Sequence, residues 1–126
     1  MTLKVGIAGY GLAGRFFHAP LLKGCGFEVA GVLTTKKDRS ANALLDFPNT
    51  KVVGNISELV ELDLDLLVVA SANLVHAEHA MAGINKGIPV VIDKPMGRTA
   101  AEVQQIISAA QSKNVAVTTF FNRRWD

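Results

Sequence analysis

Lys4-Val5-Gly6-Ile7-Ala8 runs straight into Gly9-Tyr10-Gly11-Leu12-Ala13-Gly14, and this junction decides how the chain reads. An apolar run, a G-x-G-x-x-G turn and a helix-like segment together open a βαβ unit of the kind that binds dinucleotides. Gly9 permits the tight turn, Gly11 lets the backbone approach a pyrophosphate, and Gly14 lets helix and strand pack closely. The helix that follows offers unpaired N–H groups and the positive end of its dipole to the phosphates. The expected contacts are Gly9, Tyr10, Gly11, Leu12, Ala13 and Gly14. A bare structural turn is the competing reading. The Tyr10 ring either shields the pyrophosphate, stacks near the adenosine, or packs against the sheet edge.

Working outward, further apolar runs fall at Phe27–Leu33, Lys51–Val53, Asp65–Ala70, Ile88–Ile92 and Val115–Thr119. The fourth and fifth strands are continuously apolar, as expected of strands covered on both faces. Between them, Ala77, Ala80, Met81 and Ile84 share one helical face, with Gly87 as a C-terminal cap. Val103, Ile106, Ile107 and Ala110 repeat that spacing behind a Thr99/Glu102 capping box. Ala41, Leu44 and Leu45 suggest a shorter helix, and Ser57 is expected to cap another. Pro20 should kink or end the first helix. The fold class is therefore α/β: a Rossmann-type, doubly wound, mostly parallel six-stranded sheet in the order 3-2-1-4-5-6, with helices on both faces.

Length and composition agree. The 126 residues suit a single domain, 49% are hydrophobic and 19% charged, so disorder is excluded. The mean hydropathy of +0.28 fits a sheet buried on both faces, or a surface that meets another domain. No apolar run approaches the length of a membrane span, and glycines break the first 17 residues too often for a signal peptide. A net charge of +2, without a basic stripe, gives no reason to expect a nucleic-acid partner. Cys25 is the only cysteine, which points to a reducing compartment, the cytoplasm, and to no cysteine-built metal site.

The end of the second strand selects the dinucleotide. An NAD site carries a carboxylate there for the ribose 2′-hydroxyl. This chain has Thr34-Thr35-Lys36-Lys37-Asp38-Arg39. Hydroxyls followed by cations accept a 2′-phosphate, so NADP is preferred to NAD and Thr34, Thr35, Lys36 and Lys37 become candidate contacts. The alternative is a solvated loop with Asp38 as a helix cap.

After the fifth strand comes Asp93-Lys94-Pro95-Met96, at the carboxyl edge where such sheets bind ligands. Lys94 beside a proline-fixed turn could take a proton from a substrate hydroxyl, because a nearby oxidised nicotinamide would disfavour its ammonium form. By spacing alone it is simply one exposed lysine among eight.

The glycine turn, Asn73-Leu74-Val75-His76, Asn85-Lys86-Gly87-Ile88-Pro89-Val90 and Asp93-Lys94-Pro95 together resemble the glucose–fructose oxidoreductase/inositol dehydrogenase/MocA family over essentially the whole chain. The resemblance implies an NAD(P)-dependent dehydrogenase moving a hydride between the nicotinamide and a sugar, polyol or related alcohol. Lys94 would match the lysine of the family's Glu-Lys-Pro motif, which contacts the substrate hydroxyl and nicotinamide ribose. Ser71 and Asn73 would lie along the nicotinamide half, and His76 would open the next helix. Asp93 stands where the family has Glu, Ser71-Ala72-Asn73 where it has Thr-Pro-Asn, and a cis Lys94–Pro95 bond is expected.

Family members continue into a substrate domain. The expected division is therefore a nucleotide domain over 1–120 and the start of a linker over 121–126, where Asn122-Arg123-Arg124-Trp125-Asp126 resembles the family's connecting segment. A fragment is favoured over a natural cofactor-domain-only protein. Catalysis by this polypeptide alone is expected to be negligible, and oligomerisation is expected only with the absent domain. Phe120, Phe121 and Trp125 would pack against that domain, or the two phenylalanines would cap the last strand.

Other residues read less sharply. His76 and His79 stand three apart on a helix, but no third ligand is placed, so surface or cap histidines are preferred to a metal site. His18 could face the cofactor phosphates or serve structure. A nucleotide-sensing or CoA-binding domain without catalysis, and an interaction domain with an empty turn, remain as rivals.

Overall fold

In the computed structural model, described over residues 2–121, the elements follow the expected alternation. The strands are β1 (Lys4–Ala8), β2 (Glu28–Leu33), β3 (Lys51–Val53), β4 (Leu66–Val69), β5 (Val90–Asp93) and β6 (Val117–Phe120). The helices are α1 (Ala19–Gly24), α2 (Lys37–Asp46), α3 (Ile56–Val60), α4 (His76–Asn85) and α5 (Ala100–Lys113). The sheet order is β3-β2-β1-β4-β5-β6 and every described pairing is parallel. That order reverses direction between β1 and β4, which leaves a crevice at their carboxyl ends.

Alternation along the strands feeds two separate cores. Val5 and Ile7 of β1 and Val68 of β4 join Leu22 and Ala43 beneath α1 and α2. Ala8, Leu67 and Val69 point to the other face, where Leu59, Ala80, Ile84 and Ile106 of α3, α4 and α5 cover them. Each buried Leu or Ile contributes about 1.5–3 kcal/mol relative to exposure.

Several local expectations need correction. The chain is helical from Leu12 to Gly24, so Pro20 does not end the first helix. Gly14–His18 is wound as a π-helical turn in which Ala19 N–H donates to Gly14 O, and Pro20, which has no N–H to place, follows directly after this widened turn. In α2 the buried residue is Ala43, whereas Leu44 and Leu45 are exposed. Asn55, rather than Ser57, caps α3: its Oδ1 accepts from Glu58 N at 2.9 Å. Thr99 does cap α5, but Glu102 turns its carboxylate to Arg98 N, one residue before the reciprocal position. Gly87 ends α4 at φ +75° as anticipated. Phe120 lies in β6 with its ring against His18, and Phe121 is exposed. The expected connecting segment 122–126 lies outside the described residues.

Candidate functional site

The carboxyl edge of the sheet holds an open cleft of about 590 Å³. Its floor is the glycine turn. Gly9 has φ +99°, and a Cβ there would stand 2.7 Å from the carbonyl oxygen of Ala70. A Cβ on Gly14 would collide with the carbonyl oxygen of Gly9. The turn is thus folded on itself so tightly that only glycine fits at either place. The first bond of the ensuing helix runs from Arg15 N to Gly11 O at 3.0 Å, and by helix geometry the amides before it point out of the N-terminus.

Of the expected contacts, Gly9, Gly11, Thr34, Thr35, Lys36 and Ser71 line this one cleft. Leu12 and Ala13 lie on the first helical turn, exposed and half-buried, and Gly14 is buried behind them. The side chain of Tyr10 does not reach the cleft. It is 1% exposed within the α1/α2 core, and its hydroxyl donates to Asp46 Oδ2 at 2.7 Å. Only its backbone stays in the turn. Burial and the Asp46 carboxylate push its phenol well above the ordinary range. Arg15 holds the same carboxylate at 2.9 Å, and that bond keeps Asp46 below the usual carboxylate range. The glycine turn is thereby tied to the end of α2.

Lys37 is exposed and is not among the lining residues; Arg39, one helical turn beyond Lys36, takes that place. Its guanidinium lies 3.2 Å from where a Cβ of Gly11 would be. The spacing of Lys36 and Arg39 by three carried this signal, since such residues share a helical face. Thr34 Oγ1 accepts from Lys36 N at 3.3 Å and so helps shape the turn. Asn55, Ile56, Val75, Glu78 and His79 also line the cleft, and none of them is among the cofactor contacts expected from the sequence.

The β4 and β5 loops adjoin the cleft without all lining it. Asn73 begins an exposed 3-10 turn, Asn73–Val75, and His76 opens α4. Asp93, half-buried, ends β5, and exposed Lys94 and Pro95 follow through a cis peptide bond. Contrary to a surface role, His76 and His79 are both buried, at 1% and 8% exposure. Ser71 Oγ and His79 Nδ1 are 2.8 Å apart. Burial holds the His79 imidazole below its ordinary value. His18 faces Asp93, not the phosphate turn, with Nε2 3.6 Å from Oδ1. Among the described residues no group of three His, Cys, Asp or Glu side chains is placed to hold a metal ion.

A switch-point crevice, a steric glycine turn and cations beyond β2 define a dinucleotide-binding Rossmann domain. Comparison with known proteins agrees: the family described as an oxidoreductase family with an NAD-binding Rossmann fold matches residues 3–121. The chain belongs to this Gfo/Idh/MocA family. It is 39% identical to the scyllo-inositol 2-dehydrogenase (NADP(+)) IolW of Bacillus subtilis (strain 168), covering 99% of this chain but 35% of that protein. Identity to the inositol 2-dehydrogenase of Salmonella typhimurium is 31%, over 100% of this chain and 39% of that one. Among solved structures, the oxidoreductase yvaA of Bacillus subtilis superposes with a TM-score of 0.92 at 38% identity, covering 100% of this chain and 36% of that chain. The chain thus spans little more than a third of the length of these relatives.

Proposed function

We propose that this chain is the cofactor-binding part of an NADP-preferring dehydrogenase acting on a sugar, polyol or related alcohol. The observation that carries the reading is the cleft that joins the glycine turn to Lys36 and Arg39. The residues fit the group: Gly11 presents bare backbone to the cleft, and the end of β2 brings cations where an NAD site carries an acid. The name of one relative specifies NADP(+), which supports the same preference.

In this reading the amides of Gly11–Gly14 hold the pyrophosphate, and Lys36 and Arg39 neutralise the 2′-phosphate. Ser71, with Asn73, borders the nicotinamide half. When bound, the nicotinamide supplies the acceptor or donor of a hydride. Lys94 Nζ, as the neutral amine, accepts a hydrogen bond from the substrate hydroxyl and takes up its proton as the alcohol is oxidised. In this reading the part of such a protein that this chain does not span supplies the remaining positioning groups. This chain alone is therefore expected to bind cofactor but turn over little substrate. The exposed, unpaired Cys25 suits a cytoplasmic setting.

Calorimetric titration with NADPH, NADH and CoA tests the reading. Saturable binding of NADPH tighter than NADH is expected. Folded protein that binds neither dinucleotide overturns it, and binding of CoA alone would favour a different nucleotide-binding domain.

A further inference from the structure

His76 stands at the first position of α4, yet its ring is buried and reaches beyond its own helix in two directions. Nδ1 lies 2.7 Å from the carbonyl oxygen of Pro95, and Nε2 lies 2.7 Å from the carbonyl oxygen of Ser71. Carbonyl oxygens only accept, so the ring nitrogen that carries a proton donates, and the ring as a whole spans the gap between the two carbonyls. One side chain thereby joins the loop after β4 to the turn after β5. Among the described residues no other hydrogen bond links residues 71–75 to residues 93–97. Removing the ring takes away the buried group that both carbonyls face and leaves the two segments without it.

The two joined segments have different tasks. One carries Ser71 and Asn73 on the cofactor side; the other carries Lys94. We propose that His76 is a positioning residue that couples them, so that occupancy of the dinucleotide cleft sets the placement of the Lys94 ammonium. This rests on the dinucleotide reading above. The other titratable groups on the joined elements are Glu78 and His79 of α4 and Asp93 and Lys94 at the turn, with His18 facing Asp93 from the helix after the glycine turn.

The test follows the Lys94 resonance in chain whose lysines are 13C-dimethylated, assigned by comparison with Lys94→Arg, while NADPH is added. In the wild type, saturation is expected to displace this signal. His76→Gln, which lacks the rigid ring that reaches both carbonyls, is expected to bind NADPH within about three-fold of wild type yet lose most of the displacement. A folded His76→Gln with the full displacement overturns the coupling. So does a loss of NADPH binding as large as the loss of displacement, which marks a merely structural role. Wild-type chain that binds NADPH with Lys94 unmoved overturns the coupling alone, whereas wild-type chain that binds no dinucleotide overturns the cofactor reading and this one with it. Should His76→Gln not fold, nuclear Overhauser contacts of the wild-type His76 ring decide. Contacts to both the Ser71 and the Pro95 segments, kept when NADPH is added, are expected, and a ring that touches only one segment overturns the two-ended brace.

Discussion

Around Gly9–Gly14 and Thr34–Arg39 the rim of the sheet presents bare backbone and cations, whereas around Ser71–His76 and Asp93–Pro95 it is bound together by buried imidazoles. The first region recognises by leaving groups free: glycines without Cβ atoms, amides ahead of a helix, a guanidinium at the mouth of the cleft. The second spends its polar side chains on one another, with His79 on Ser71, His76 on Ser71 and Pro95, and His18 facing Asp93. A group that must bind charge has to stay available, and a group that must hold a geometry has to be engaged. The contrast breaks if mutations in the two regions have the same signature.

The largest effect should come from Gly14→Val. The added side chain meets a carbonyl oxygen of the turn itself, a backbone atom that cannot swing away. Loss of dinucleotide affinity of at least about 100-fold, or close to 3 kcal/mol, is expected by calorimetry, with a lowered Tm. Retention of wild-type affinity would show that the turn is not the binding floor.

Next come the cations. Lys36→Glu and Arg39→Glu should each weaken NADPH about ten-fold more than NADH, which is about 1.4 kcal/mol. Lys37→Glu, on the exposed side of the same helix start, should change that ratio little. An equal effect at Lys36 and Lys37 would mean that long-range charge, not contact, sets the preference.

These variants also mark what could be read from the chain alone. The sheet order and the glycine turn follow from period and punctuation, because buried strands and tight turns leave few residue choices, whereas the Lys94 turn stands out only through the family resemblance. What was not legible concerns direction. Tyr10 reads as a cofactor contact by position, but its hydroxyl is turned inward by Asp46, which is 36 residues away. Leu44 and Leu45 look like core, yet α2 buries Ala43 and turns both leucines outward. Lys36 and Lys37 are adjacent in sequence, and only the helix that starts there separates them in space. Asn55 with Glu58 carried a readable cap signature that the nearby Ser57 obscured.

A smaller effect is expected beneath the glycine turn. Asp46→Ala removes the acceptor of a buried phenol and the partner of Arg15. An unpaired buried hydroxyl costs roughly 1–2 kcal/mol, which for a domain of this size lowers Tm by roughly 4–8 °C. Tyr10→Phe should cost less, since Asp46 then keeps Arg15. A Tyr10→Phe loss exceeding that of Asp46→Ala would place the stabilisation in the ring's packing instead.

The subtlest test uses acid to separate the two regions. Burial holds both His18 and His79 below the ordinary imidazole value, with Asp93 partly countering it at His18 and Glu78 at His79. As pH falls below about 6.5, the unfolded chain takes up protons that the folded chain still refuses. The unfolded state then binds more protons, so stability is full above that value and declines on acidification. Asp46 and Glu102, whose carboxyls are held low by Arg15 and Arg98, add their losses only in the more acidic carboxylate range. Between pH 7.5 and 5.5 the decline in Tm should therefore come from the histidines. His18→Phe, which keeps a ring against Phe120 and removes the unpaired buried Nε2, should flatten part of it. Both imidazoles are engaged with the braced region, His79 at Ser71 and His18 at Asp93. Exchange of the bonded amides beside Ser71, Ala70 and Val75, should accordingly quicken first, while Gly9 N and Arg15 N, bonded to Leu33 O and Gly11 O, stay protected; quickening that begins at Gly9 and Arg15 would show that the two regions open as one.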